Sequence, residues 1–198
     1  MHKTRIEDIT FAFVDIETTG LSPRRGDRVC EVAVLKNRAG ETLDSFVRLV
    51  NPGCPIPPQA SAVHRITDDM VSGEPRFEAI APALANEVAG CVIVCHNASF
   101  DVPFLEFEFG QAGLRFPAAH VLDTLKFARR HGGFQSNRLG NIATALGYCP
   151  DGWHRALADV KMTEFVFLHF LNLFREKGAR TLDDLKRLEL SCKCDFAQ

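Results

Sequence analysis

The chain has 198 residues, 46% hydrophobic and 24% charged, a composition that fits one globular domain of residues 1–198 and excludes a disordered chain. Lys and Arg number 23 against 25 Asp and Glu, a formal net charge of −2, which argues against tight duplex binding driven by global charge. Apolar runs such as residues 91–95 are too short to cross a bilayer, and a charged N-terminus is a poor secretory signal, so no membrane association and a cytoplasmic location are expected.

Residues 9–16 (ITFAFVDI) form an apolar, β-branched and aromatic run suited to a strand buried on both faces. Residues 28–36 and 42–50 read as two more strands around a turn at 37–40, and the four prolines within 51–58 predict a loop. Helical spacing over 77–88 ends before Gly90, and 91–95 (CVIVC) is a short buried strand. A helix is expected over 100–109, where Pro103 is tolerable only in the first turn. Then come a short strand or lead-in at 121–124, a helix near 125–130 broken by Gly132-Gly133, and a helix over 139–146 closed by Gly147. A long helix over 155–176 and a last short one over 182–190 complete the pattern. Strands first, then helices mixed with one or two strands, give an α/β fold: a mixed β-sheet flanked by α-helices, with a core at about 9–176 and a helical tail at 177–198.

Seven cysteines are scattered, with no CxxC pair, and read as reduced thiols. Cys30, Cys91 and Cys95 lie in apolar strands as small hydrophobes, while Cys192 and Cys194 near the tail lack the spacing of a zinc site.

Asp15 and Glu17 end the first strand two residues apart, so they share a face with Phe11 and Phe13. Two like charges there repel, and a hard divalent cation, Mg²⁺ or Mn²⁺, resolves the conflict. Asp101 follows a buried strand in the opening turns of a helix. Asp159 sits in the long helix among apolar neighbours, where it needs a partner, and a cation shared with Asp15 is one candidate. His154, five residues earlier, cannot share a helix face with it; on the loop entering that helix it can act as a general base.

VDIETTGL, HNASFD and HRALAD, in that order, resemble the three exonuclease motifs of the DEDDh (DnaQ-like) superfamily, over about residues 11–171. Within it the likeness is to the bacterial replicative proofreading branch, the DNA polymerase III epsilon type. The loop at His64 and Ile66-Thr67-Asp68-Asp69-Met70 also resembles that branch, although Arg65 stands where glycine is common there.

The resemblance implies a ribonuclease H-like fold and two-metal hydrolysis of the terminal phosphodiester of a nucleic acid 3′ end, single-stranded or frayed DNA first, short RNA or tRNA ends as the alternative. It implies that Asp15, Glu17, Asp101 and Asp159 hold two Mg²⁺ or Mn²⁺ ions, and that His154 accepts the proton of the attacking water. Thr18, Thr19 and Gly20 would offer backbone and hydroxyl groups to the last nucleotide. Leu21 and Phe100 would wedge or stack against bases, with His96 and Asn97 part of the same wall. A DNA polymerase subunit is a candidate partner. QAGLRF at 111–116 is similar to a sliding-clamp peptide, although a helix C-terminus capped by Gly113 explains the same residues.

Overall fold

A computed structural model describes residues 4–149 and 155–190. Five strands, β1 (Thr10–Thr18), β2 (Val29–Arg38), β3 (Glu41–Leu49), β4 (Val92–Cys95) and β5 (Val121–Asp123), form one sheet in the order β3-β2-β1-β4-β5. The first three are antiparallel neighbours, whereas β4 runs parallel to both β1 and β5. Arg38 pairs with Glu41, so the β2–β3 turn is Ala39-Gly40, with φ of 55° and 92°. Left-handed conformations at both positions match the twist of a tight hairpin. The sheet is mixed, as the patterning predicts.

Alternation along β1 decides what covers each face. Phe11 and Phe13 point to a cluster made with Phe127, Val160, Phe167, Phe170 and Phe174, and the Phe167 ring centroid lies 4.8 Å from that of Phe11 and 5.4 Å from that of Phe13. Ala12, Val14 and Ile16 point the other way, to Phe77, Leu84, Phe104 and Phe109. The first face is therefore covered by α5 (Thr124–Phe127), α6 (Leu139–Ala145), α7 (Ala156–Glu176) and α8 (Leu182–Leu190), and the second by α3 (Phe77–Val88) and α4 (Ala98–Gln111). Burying one such side chain contributes about 1.5–3 kcal/mol. Because Asp15 and Glu17 continue the Phe11–Phe13 row, they end up on the α7 side.

Three local features differ from the expectation. The proline-rich loop ends at α1 (Pro58–His64), followed by α2 (Asp68–Val71); Pro58 opens α1, where a fixed φ and a missing N–H cost nothing. Arg65, at φ 62°, adopts the left-handed conformation that closes α1, which explains why glycine suits that position. Helix α4 begins at Ala98, so Pro103 falls in its second turn. Pro103 and Ser99 are both exposed, so the Ser99 carbonyl that lacks its helical donor lies on the water side. Beyond α5 the chain makes a π-turn over Ala128–Gly132 rather than continuing as an α-helix. Among the described residues no helix is long and apolar enough to cross a membrane.

The clamp-like segment is part of the packed structure: Phe116 is buried, its ring 5.3 Å from that of Phe109. Presenting it to a partner requires unpacking that ring.

Candidate active site

Three of the anticipated carboxylates meet. One oxygen each of Asp15, Glu17 and Asp159 can be chosen so that all lie within 4.8 Å of one another. The first two come from the end of β1, and the third from the opening turn of α7, which packs across β1 through Phe167. Asp101, in the opening turn of α4, is buried close enough for its charge to act on Asp15 and Glu17, and accepts hydrogen bonds from the backbone of Ile16 and of its own residue. Both helices aim N-terminal dipoles at the cluster, which favours negative charge there.

Burial nevertheless dominates. Desolvation, then the charges of Asp101, Asp159, Glu17 and Glu31, hold the Asp15 carboxyl well above the ordinary carboxylate range. Glu17 is pushed up to about 8, chiefly by burial and then by Asp159 and Glu31. Asp101 likewise rises to about 8, mainly by burial, although its two backbone hydrogen bonds pull the other way. Such a group is not at rest as a set of free anions. The donors are all hard oxygens at ligand spacing, so the residues fit a small divalent cation such as Mg²⁺ or Mn²⁺.

Two buried carboxylates that lie outside the three motifs brace the site. Glu31 stands opposite Glu17 in the β1–β2 register. It accepts from Arg155 Nη2 at 2.6 Å, from Arg155 Nε at 3.1 Å, and from the Ala156 backbone N–H at 2.9 Å. This ties the first turn of α7, and Asp159 with it, to the sheet. Glu108 similarly receives Arg28 Nε and Nη2 at 2.8 and 2.6 Å and the Val29 N–H at 3.1 Å. Arg28 is thus committed to the fold, not free for a ligand.

Cavities flank the carboxylates. One, of about 340 Å³, runs from Glu17 over Thr18, Thr19, Gly20 and Leu21 to Phe100 and to Pro57, Ala60 and Val63 around α1. Its lips are apolar: Leu21 is 85% exposed and Val63 52%. The hydroxyls expected to meet a ligand are already engaged, Thr18 Oγ1 donating to the Gly20 carbonyl at 2.6 Å and Thr19 Oγ1 accepting from the Arg28 N–H at 3.0 Å. Gly20 leaves no room for a side chain, because a Cβ there would collide with the Asp27 carboxylate, which accepts from the Ser22 N–H at 2.9 Å. The second cavity, of about 440 Å³, opens between Asp15 and Asp159 on one side and His96, Asn97, Arg138 and Asn141 on the other.

His96 and Asn97 therefore line a different wall from Leu21 and Phe100. His96 is held between Thr124 Oγ1 at 2.9 Å and the Asn137 carbonyl at 3.0 Å. A carbonyl only accepts, so Nε2 carries the proton, and burial lowers the pKa of the ring toward that neutral form. Asn97 sits at φ 76° before α4, its N–H donating to Asp123 Oδ1 at 2.9 Å. His154 lies outside the described residues.

A family model for RNase T-type exonucleases matches residues 12–167. The chain belongs to this exonuclease family. The exonuclease chain is similar to the 3′-5′ exonuclease DinG of Bacillus subtilis, at 34% identity over 179 residues, which cover 90% of this chain and 19% of that protein. It is also similar to the PolC-type DNA polymerase III of Thermotoga maritima, at 31% identity, with 92% of this chain and 13% of that protein covered. It thus spans less than a fifth of these curated relatives. Among solved structures, Exonuclease X in complex with 5′ overhanging duplex DNA superposes with a TM-score of 0.71 at 28% identity, covering 90% of this exonuclease and 99% of that chain. Escherichia coli Exonuclease I with a dT13 oligonucleotide shares the fold, with a TM-score of 0.72 at 21% identity over 85% of this chain and 43% of that one.

Proposed function

We propose that the chain is a metal-dependent 3′→5′ exodeoxyribonuclease that removes nucleoside 5′-monophosphates from single-stranded or frayed DNA ends, as in proofreading or end trimming. The observation that carries this reading is the trio Asp15, Glu17 and Asp159, its oxygens within 4.8 Å, beside an apolar pocket of about 340 Å³. The DNA-bound relatives and the polymerase-borne ones favour DNA over RNA.

In this reading Asp15, Glu17 and Asp159 would hold divalent cations, and Asp101 fixes the end of β1 through the Ile16 backbone. When bound, divalent cations supply Lewis-acid activation of water and counter the charge that develops at phosphorus. Leu21, Phe100 and Val63 take the terminal base by apolar contact, which every base satisfies equally. Gly20 lets the backbone approach the sugar closely. His154 takes the proton released by the attacking water, a role worth about 10²–10⁴ in rate.

The test is digestion of 3′-labelled single-stranded, mismatched and paired DNA, with matched RNA, in Mg²⁺ or Mn²⁺ and in EDTA. Labelled mononucleotide should appear first, from the unpaired DNA end and only with a cation. Turnover by Asp15→Ala at the parent rate, or a 5′ label released before the 3′ label, would end the proposal.

A further inference from the structure

The cavity that opens at Asp15 and Asp159 does not stop at Asn141. That residue also lines a neighbouring groove with Phe134, Gln135, Ser136 and Thr144. One wall therefore leads from the carboxylates across Arg138 and Asn141 to an aromatic ring. Arg138 is exposed, and among the described residues it enters no ion pair. The loop that carries it is braced: Asn141 Nδ2 donates to Ser136 Oγ at 2.9 Å, and the Asn137 carbonyl takes the His96 proton at 3.0 Å. An exposed cation, an amide and a ring on a fixed loop suit the backbone and bases of a single strand.

Resting on the exonuclease reading, we infer that this groove carries the nucleotides immediately upstream of the scissile phosphate, with Arg138 paired to an internal phosphodiester and Asn141 beside it. The apolar pocket past Glu17 is of a size for one terminal nucleotide, so the rest of the strand leaves along the opposite wall. Efficient substrates are then polynucleotides that reach Arg138, and a mononucleotide ester uses only part of the site.

The experiment compares an unstructured oligodeoxynucleotide with the p-nitrophenyl ester of thymidine 5′-monophosphate. For Arg138→Ala the ratio of oligonucleotide to ester kcat/KM should fall about tenfold, and the slope of log KM against log salt for the oligonucleotide should drop by about 0.7, the value for one phosphate contact on a single strand. Arg138→Lys should recover most of the ratio, Asn141→Ala should lower it less, and Arg38→Ala, an exposed control on β2, should leave it unchanged. An unchanged ratio and salt slope in Arg138→Ala overturns the groove while the exonuclease assignment stands. A parent enzyme that cleaves neither substrate overturns both.

Discussion

Replacing Glu31 by glutamine isolates the brace under α7. The carboxylate is 1% exposed and receives two guanidinium donors and one backbone donor. Glutamine keeps one acceptor and turns an N–H₂ toward the others, so at least one charge-assisted hydrogen bond is lost, about 1.5–3 kcal/mol. The Arg155 side chain is 43% exposed and can rehydrate, which holds the loss below the ~3–5 kcal/mol of a fully buried pair. A partial gain offsets it, because the Glu31 charge is one of those that raise Asp15 and Glu17. The net is about 2 kcal/mol, or a Tm lower by about 4–8 °C at this chain length. Far-ultraviolet circular dichroism melts in EDTA read the shift without any cation contribution. Arg155→Ala, alone and combined with Glu31→Gln, should return a coupling of about 1–2 kcal/mol. Additive effects, or a Glu31→Gln Tm within about 1 °C of the parent, would refute the brace.

Asp15→Asn should abolish turnover yet raise the Tm of metal-free protein near pH 8. The sign follows from pKa values held above those of the unfolded chain: the protons on Glu17 and Asp101 favour folding below the ordinary carboxylate range, and that stability is lost as the pH climbs through about 8. For the same reason the Tm gain from added Mn²⁺ should be larger at about pH 8 than at about pH 5.5, where protons compete for the ligands; a gain independent of pH refutes the carboxylate cluster as the binding site. Phe167→Ala, which leaves a hole under Phe11 and Phe13, should cost about 3–5 kcal/mol in denaturant melts.

The strands and long helices are legible in the sequence because their periodicity is strong: β1 and β4 as unbroken apolar runs, α3 by its Phe77, Ile80, Ala81, Leu84 and Val88 stripe. The helix α1 was masked by its prolines, although Pro58 ahead of Gln59 and Ala60 is itself a helix-start signal. The carboxylate trio was foreseeable from motif order and from the face that Asp15 and Glu17 share. Glu31 was not: in CEVAVL it is one charge in a buried strand, and its partner lies 124 positions away. Nothing near Arg28 in the sequence marks it as a structural residue either, since Glu108 meets it only after folding. Pairings of that range are set by tertiary packing, which local pattern does not encode.

Asp15, Asp101 and Asp159 come from the first strand, from the helix after the fourth, and from the last long helix. A nascent or truncated chain that has not yet added α7 lacks one wall of the cluster and the brace on Glu31 together. In the proposed reading, cutting competence therefore arrives late, only once α7 has joined a sheet that is already complete.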